Sequence, residues 1–244
     1  MIGDAWTMAW KEWKELLAPQ GRFRGGTMNL LMLLGIFGVA MPWQFGRAWV
    51  ESPMMLLYWG WVPLLLLSNV VVDAFAGERE RHTLETLLAT RLPDRAILFG
   101  KIGAAVAYAV AIAAASLVLG LLTVNILARP ERLLLYPPAT LAGALVMNLL
   151  GAALIAGLGV LVSLRSASVR QAGQLMGIAV LVVGFAPVLG VRAISAYWRS
   201  QGHAATAADA ALAGLAGLVL FLLLDTALIA AAMLRFRRSR LLLD

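Results

Sequence analysis

An all-α integral membrane fold follows from three observations. Hydrophobic residues make up 61% of the 244-residue chain and charged residues only 14%, against about 45–50% and about 25% in soluble domains. The apolar residues come in long runs, without the in-out alternation over about ten residues that barrel strands require. The lysines and arginines between those runs are distributed unevenly. A bilayer core about 30 Å thick takes roughly 20 apolar residues per helix, and only helices or closed barrels satisfy their backbone groups in lipid. The reading is one transmembrane domain over residues 1–244 with six helical spans.

The elements follow in order. The first 27 residues hold no apolar core followed by a cleavage site, so the start is expected to be retained. Trp6, Trp10, Trp13 and Leu17 recur at helical spacing, while Lys11, Glu12, Lys14 and Glu15 mostly face elsewhere. Such a helix suits the membrane interface, with Trp6, Trp10 and Trp13 as anchors at headgroup depth and the charges in water. Packing of the same amphipathic helix on other protein is the plainer alternative. Pro19, Gly21, Gly25 and Gly26 then break it.

Spans are expected at about residues 28–45, 54–75, 97–127, 139–164, 172–189 and 211–234. The third is longer than a bilayer needs, so it tilts or protrudes. Residues 190–209 follow Pro187 and carry Gly190, Arg192, Tyr197, Trp198 and Arg199. They are read as an outer loop, either plain with interfacial anchors or re-entering the outer leaflet.

With these spans, fifteen lysines and arginines fall on one side, among them Lys11, Lys14, Arg91, Arg95, Lys101, Arg165, Arg170 and Arg235. Five, namely Arg47, Arg129, Arg132, Arg192 and Arg199, fall on the other. The positive-inside rule puts both termini in the cytoplasm of a multi-pass protein of the cell (inner) membrane. The net charge of +7 is then a topology signal and an attraction to membrane lipids, not a nucleic-acid footprint. Absence of cysteine excludes disulfides and thiolate chemistry.

One stretch departs from this oily background. Glu78, Arg79, Glu80, Arg81, Glu85, Arg91, Asp94 and Arg95 crowd between the second and third spans. Leu84, Leu87 and Leu88 form a narrow apolar stripe of a short helix, with Glu85, Thr86 and Thr90 off it. Pro93 ends that helix and Asp94 is placed to cap the third span. A short amphipathic helix held between two stiff spans on the cytosolic side is well placed to be pushed.

At these residues the chain resembles the permease subunits of type-2 ABC exporters, the ABC-2 transporter family. Their pattern is an acidic residue at the end of the second span, Glu-x-x-x-Gly-Thr-Leu-Glu-x-Leu-Leu, a Pro-containing turn, and a Gly-Lys opening the third span. Here it reads Glu78 through Leu88, then Leu92-Pro93, then Gly100-Lys101, about a tenth of the chain. His82 stands where the family usually has Gly, which reaches positive φ more readily. The resemblance implies a coupling helix over residues 77–95 that docks on a separate cytosolic ABC ATPase subunit. It implies Thr83, Leu84, Glu85, Leu87 and Leu88 as the docking face and Glu78, Arg79, Glu80 and Arg81 as a charged flank. It further implies a dimer with a second permease copy or paralogue, with ATP and Mg bound by the partner ATPase and no cofactor in this chain.

Other chemistry is poorly supported. Gly100-Lys101 lacks the upstream glycine of a phosphate-binding loop and is followed by Ile102. His82 and His203 fall on opposite sides, and no acidic pair stands beside a histidine at metal-ligand spacing. Ser163, Ser166 and Ser168 lack a nearby general base. The chain is therefore read as a non-catalytic transport subunit. The competing class is an ATP-independent channel or secondary transporter using intramembrane acids. Asp225 lies well inside the last span, where a charge costs about 2.5–3.5 kcal/mol on the lenient insertion scale. Asp73 lies one turn beyond Asn69 near the end of the second span. Asn69, Asp73 and Asp225 either line a path or gate, or serve as helix-packing and interfacial groups; both readings stand. Gly173 and Gly177, and Gly214 and Gly217, offer small-residue packing faces.

Overall fold

The computed structural model describes residues 2–17, 24–52, 56–83, 89–127, 132–200 and 207–236. These residues are almost wholly helical and contain no strand. In chain order they form α1 (Ile2–Leu17), α2 (Arg24–Gly35), α3 (Met41–Phe45), α4 (Arg47–Glu51), α5 (Leu56–Val72) and α6 (Glu78–Glu80). The long helices α7 (Asp94–Leu127), α8 (Pro138–Arg165), α9 (Val169–Ser200) and α10 (Ala207–Arg235) follow. The local chemistry explains most boundaries. Helix α8 opens on Pro138, whose missing N–H costs nothing at a first position, and α7 runs on alanines and leucines of high helix propensity.

Among the described residues, four stretches are long and apolar enough to cross a bilayer: Asp94–Leu127, Pro138–Arg165, Val169–Ala186 and Gly214–Arg235. The first two expected spans are composite helices instead. A π-turn at Ile36–Ala40 joins α2 to α3, and another at Asp73–Gly77 joins α5 to α6. Widened turns take carbonyls off the i→i−4 ladder, and within lipid those groups need another donor. Helix α7 supplies one at each site. The Thr123 hydroxyl donates to the Gly38 carbonyl at 2.8 Å. The Lys101 ammonium donates to the Ala74 carbonyl at 3.1 Å.

Helix α9 is unbroken to Ser200, so residues 190–200 of the expected outer segment are helical, while its apolar stretch is Val169–Ala186. Pro187 and Gly190 lie within the helix. Proline is tolerated inside membrane helices because neighbouring groups re-satisfy the one carbonyl it frees.

Helices α5 and α8 lie side by side at the centre, with α7, α9 and α10 packed around α8. At Gly159 α8 packs so closely on α5 that an added Cβ would stand 2.6 Å from the Val71 side chain. Helix α1 packs on the first half of α7. There Gly100 is pressed so closely that an added Cβ would stand 2.6 Å from Met8 Cβ and 2.8 Å from the Ala5 carbonyl oxygen. Trp13 then meets Tyr108 edge-on, with ring centroids 6.3 Å apart. The α1 helix is thus bolted to the bundle along a Met8–Glu12 face, while Trp6 and Trp10 stay exposed.

A Gly100→Val substitution should therefore push α1 off α7. We expect a loss of about 1–3 kcal/mol, the usual cost of overpacking, read as a lower unfolding temperature and faster proteolysis within α1. Gly173→Ala, where nothing lies within 4 Å of the added carbon, should leave both readouts unchanged.

Candidate functional site

The charged stretch after α5 is a junction between helices. Lys101 is only 2% exposed, yet its ammonium is fully occupied. It contacts Glu12 Oε1 of α1 at 2.7 Å, Glu78 Oε1 of α6 at 2.8 Å and the Ala74 carbonyl at 3.1 Å. Its Nζ also lies 5.6 Å from the centre of the Phe75 ring. An ammonium has three N–H donors, and here each has an oxygen. Glu12 and Glu78 are both buried, so α1, α6, α7 and the second π-turn meet on one cation.

Arg79 reaches the far side. Its guanidinium donates to the carbonyls of Ser163 at 2.6 Å and Leu164 at 3.2 Å, and to that of Ser166. Those carbonyls belong to the last turn of α8, where helix geometry leaves acceptors unsatisfied and the dipole favours a cation. Glu80 does the opposite job on the next helix. Its Oε2 accepts from the Val169 N–H, the first of α9, at 3.1 Å. Ser168 Oγ accepts from the Gln171 N–H at 3.3 Å, and Gln171 Oε1 accepts from Ala167 N–H at 2.9 Å, close to a capping box. Adjacent residues of opposite charge thus hold the adjacent ends of α8 and α9.

Arg81 turns back along its own segment to Asp73 Oδ1 at 2.7 Å. That pair is half-exposed, so its stabilisation is at the low end, about 0–1 kcal/mol. His82 has φ +57°, the left-handed region. This is the position where the resemblance calls for glycine, and the imidazole-bearing residue makes the same turn at a cost glycine does not carry. The Thr83 hydroxyl donates to the Glu78 carbonyl at 3.1 Å and closes the turn.

Several sequence readings change. Glu12, assigned with Lys11, Lys14 and Glu15 to a charged face of α1, is buried against Lys101. Burial of Glu78 and the part-burial of Arg79 make them internal fasteners before anything else. Lys101, which entered only as a topology charge and as part of Gly-Lys, is the centre of the site. The spacing held a signal for it: Gly100 gives α1 its approach and Lys101 takes its carboxylate. Leu84, Glu85, Thr86, Leu87 and Leu88 lie outside the described residues.

The three acids and amides read as a path do not form one cluster. Asn69 is exposed, and Asp73 is tied to Arg81 near the Lys101 junction. Asp225 is 5% exposed on α10, and neither carboxylate oxygen has a hydrogen-bond partner among the described residues. The described residues contain no group of three His, Asp or Glu placed to hold a metal ion.

The family model described as ABC-2 family transporter protein matches residues 69–200, from the last turn of α5 to the end of α9. That is more than half of the chain. The chain belongs to the ABC-2 transporter family. No curated protein matches it. Membership makes it a multi-pass membrane protein of the permease kind, a class that is generally non-catalytic and normally pairs with an ABC ATPase subunit. The matched region contains all of the junction except Glu12.

Removing the cation should be costly. Lys101→Met leaves two buried carboxylates facing each other, and we expect a loss of about 3–5 kcal/mol, read as a lower unfolding temperature in detergent. The triple change Lys101→Met, Glu12→Gln, Glu78→Gln should recover part of it. His82→Gly should be neutral or stabilising by about 1 kcal/mol, whereas His82→Val should be destabilising.

Proposed function

We propose that this chain is the permease half of an ATP-driven exporter, with residues 77–95 as the segment that engages a separate cytosolic ATPase. Six spans, the composite helices over 24–45 and 56–80 together with the four long apolar ones, form the transmembrane half. Both termini and the Lys101 junction face the cytoplasm of the cell membrane, as the lysine and arginine bias requires. ATP and Mg are bound by the partner. Two permeases form the working unit, and the open Gly173 and Gly177 on α9, with nothing within 4 Å, leave room for a second copy or paralogue.

One observation carries this reading. Glu78, Arg79 and Glu80, which precede the amphipathic leucines, engage α7, α8 and α9 in turn, and Lys101 of α7 passes the connection on to Glu12 of α1. In this reading a push on Thr83, Leu84, Glu85, Leu87 and Leu88 is passed to the ends of three long helices through Glu78, Arg79 and Glu80. ATP binding by the partner shifts the permease only through contacts that differ between its conformations, and this junction supplies candidates. The alternative, an ATP-independent channel or secondary transporter, draws on the buried Asp225 alone.

Co-purification with the cognate ATPase tests the assignment. The wild-type chain should retain the ATPase, and Leu87→Asp or Glu85→Arg should weaken that association about tenfold or more, equivalent to about 1.4 kcal/mol. Full assembly by both variants would remove the coupling role from this segment. Full transport without any ATPase would favour the alternative.

A further inference from the structure

The groove between α1 and α7 is a second candidate site. Ala5, Trp6, Ala9, Trp10 and Trp13 form one wall, and Gly103, Ala104 and Ala107 form the other. The groove is open on one side and its volume is about 510 Å³, within the usual 300–1,000 Å³ of small-ligand sites. No side chain packs over the floor at Gly103, where an added Cβ would meet nothing within 4 Å.

Its chemistry is that of a lipid boundary. The helix from Tyr108 to Leu127 covers about 30 Å at 1.5 Å per residue, the thickness of a bilayer core. With the core counted back from Leu127 and the excess length protruding on the cytoplasmic side of the proposed orientation, residues 103–107 fall at the edge of that core, where headgroup meets acyl chain. Indoles concentrate at that depth. Lys14 stands over the Trp10 ring at 5.4 Å from its centre. Lys11 takes the neighbouring Glu15 at 3.3 Å, and Lys14 makes no ion pair with a described carboxylate. An exposed, uncompensated ammonium beside an apolar groove at this depth matches an anionic phosphate above an acyl chain.

We propose that this groove holds one anionic phospholipid of the cytoplasmic leaflet, with the upper part of an acyl chain between the tryptophans and Gly103–Ala107. Its phosphate sits on Lys14. The occupant bridges α1 to α7 beside the Lys101 junction and holds the tryptophan wall in place. The inference rests on the membrane orientation proposed above and not on the ATPase assignment.

The test uses the full chain in nanodiscs containing a trace of phosphatidylglycerol with a photoactivatable group on the upper acyl chain, with adducts mapped by peptide mass spectrometry. Adducts should concentrate on α1 and residues 103–107. Unlabelled phosphatidylglycerol should displace them several-fold better than phosphatidylcholine. Gly103→Leu should cut labelling of the groove about fivefold at an unchanged unfolding temperature, because the floor is open. Lys14→Gln should keep the labelling and lose the preference for phosphatidylglycerol. Labelling spread equally over the exposed faces of α9 and α10 would overturn the proposal, as would equal displacement by both lipids. So would cross-linking of the groove to a second copy in place of lipid. None of these readouts depends on nucleotide or on an ATPase, so they stand or fall apart from the exporter reading.

Discussion

A single buried ammonium sets the terms for one end of this bundle. Placing Lys101 where water cannot reach it costs several kcal/mol unless each of its donors finds an oxygen. The three oxygens come from α1, α6 and the π-turn before α6. None of those elements can move without exposing the cation or stranding an acid. Lys11, 3.9 Å from Glu12 and more exposed, adds a second cation at the rim of the cluster. The aromatic ring of Phe75, itself edge-on to Phe236 just past the end of α10, lies against the same cation.

The Glu78-Arg79-Glu80-Arg81 sequence extends the same constraint outward. In water such alternating charges would be a solvated turn. Here each one meets a group whose polarity calls for it: an ammonium, three helix-end carbonyls, a helix-start N–H and a carboxylate. Helix ends are where a single side chain exerts most leverage over a long element, because the unsatisfied backbone groups and the dipole both act there. Glu78, Arg79 and Glu80 therefore tie α7, α8 and α9 together, and Lys101 adds α1. In the exporter reading, that junction is the transmission between the ATPase-facing leucines and the spans.

Much of this was legible in the residues. The apolar runs marked the long helices, and the tryptophan spacing marked α1. The position of His82 marked a turn of unusual backbone, which the structure places at positive φ. What was not legible depended on partners distant in sequence. Nothing local to Glu12 distinguishes it from Glu15, since its burial is decided by Gly100 and Lys101 nearly ninety residues away. The π-turns depend on donors from α7 and leave no period in the local pattern. The helical continuation of α9 through residues 190–200 left no local signal, because Pro187 and Gly190 interrupt helices in water far more strongly than they do in lipid. Arg79 and Glu80 looked like surface charges because their acceptor and donor are backbone groups, which no composition records.

The central claim is that residues 78–83 and the α8–α9 turn move as one body. The chain has no native cysteine, so Arg81→Cys and Ala167→Cys, both at exposed positions, can carry a pair of spin labels without background. Their separation, measured by pulsed electron resonance in the complex with the ATPase, should be the same without nucleotide and with ATP bound. The distance from either label to one at Ile126→Cys, at the far end of α7, should change. A change of several ångströms between the first two labels, with the third distance fixed, would contradict a rigid junction.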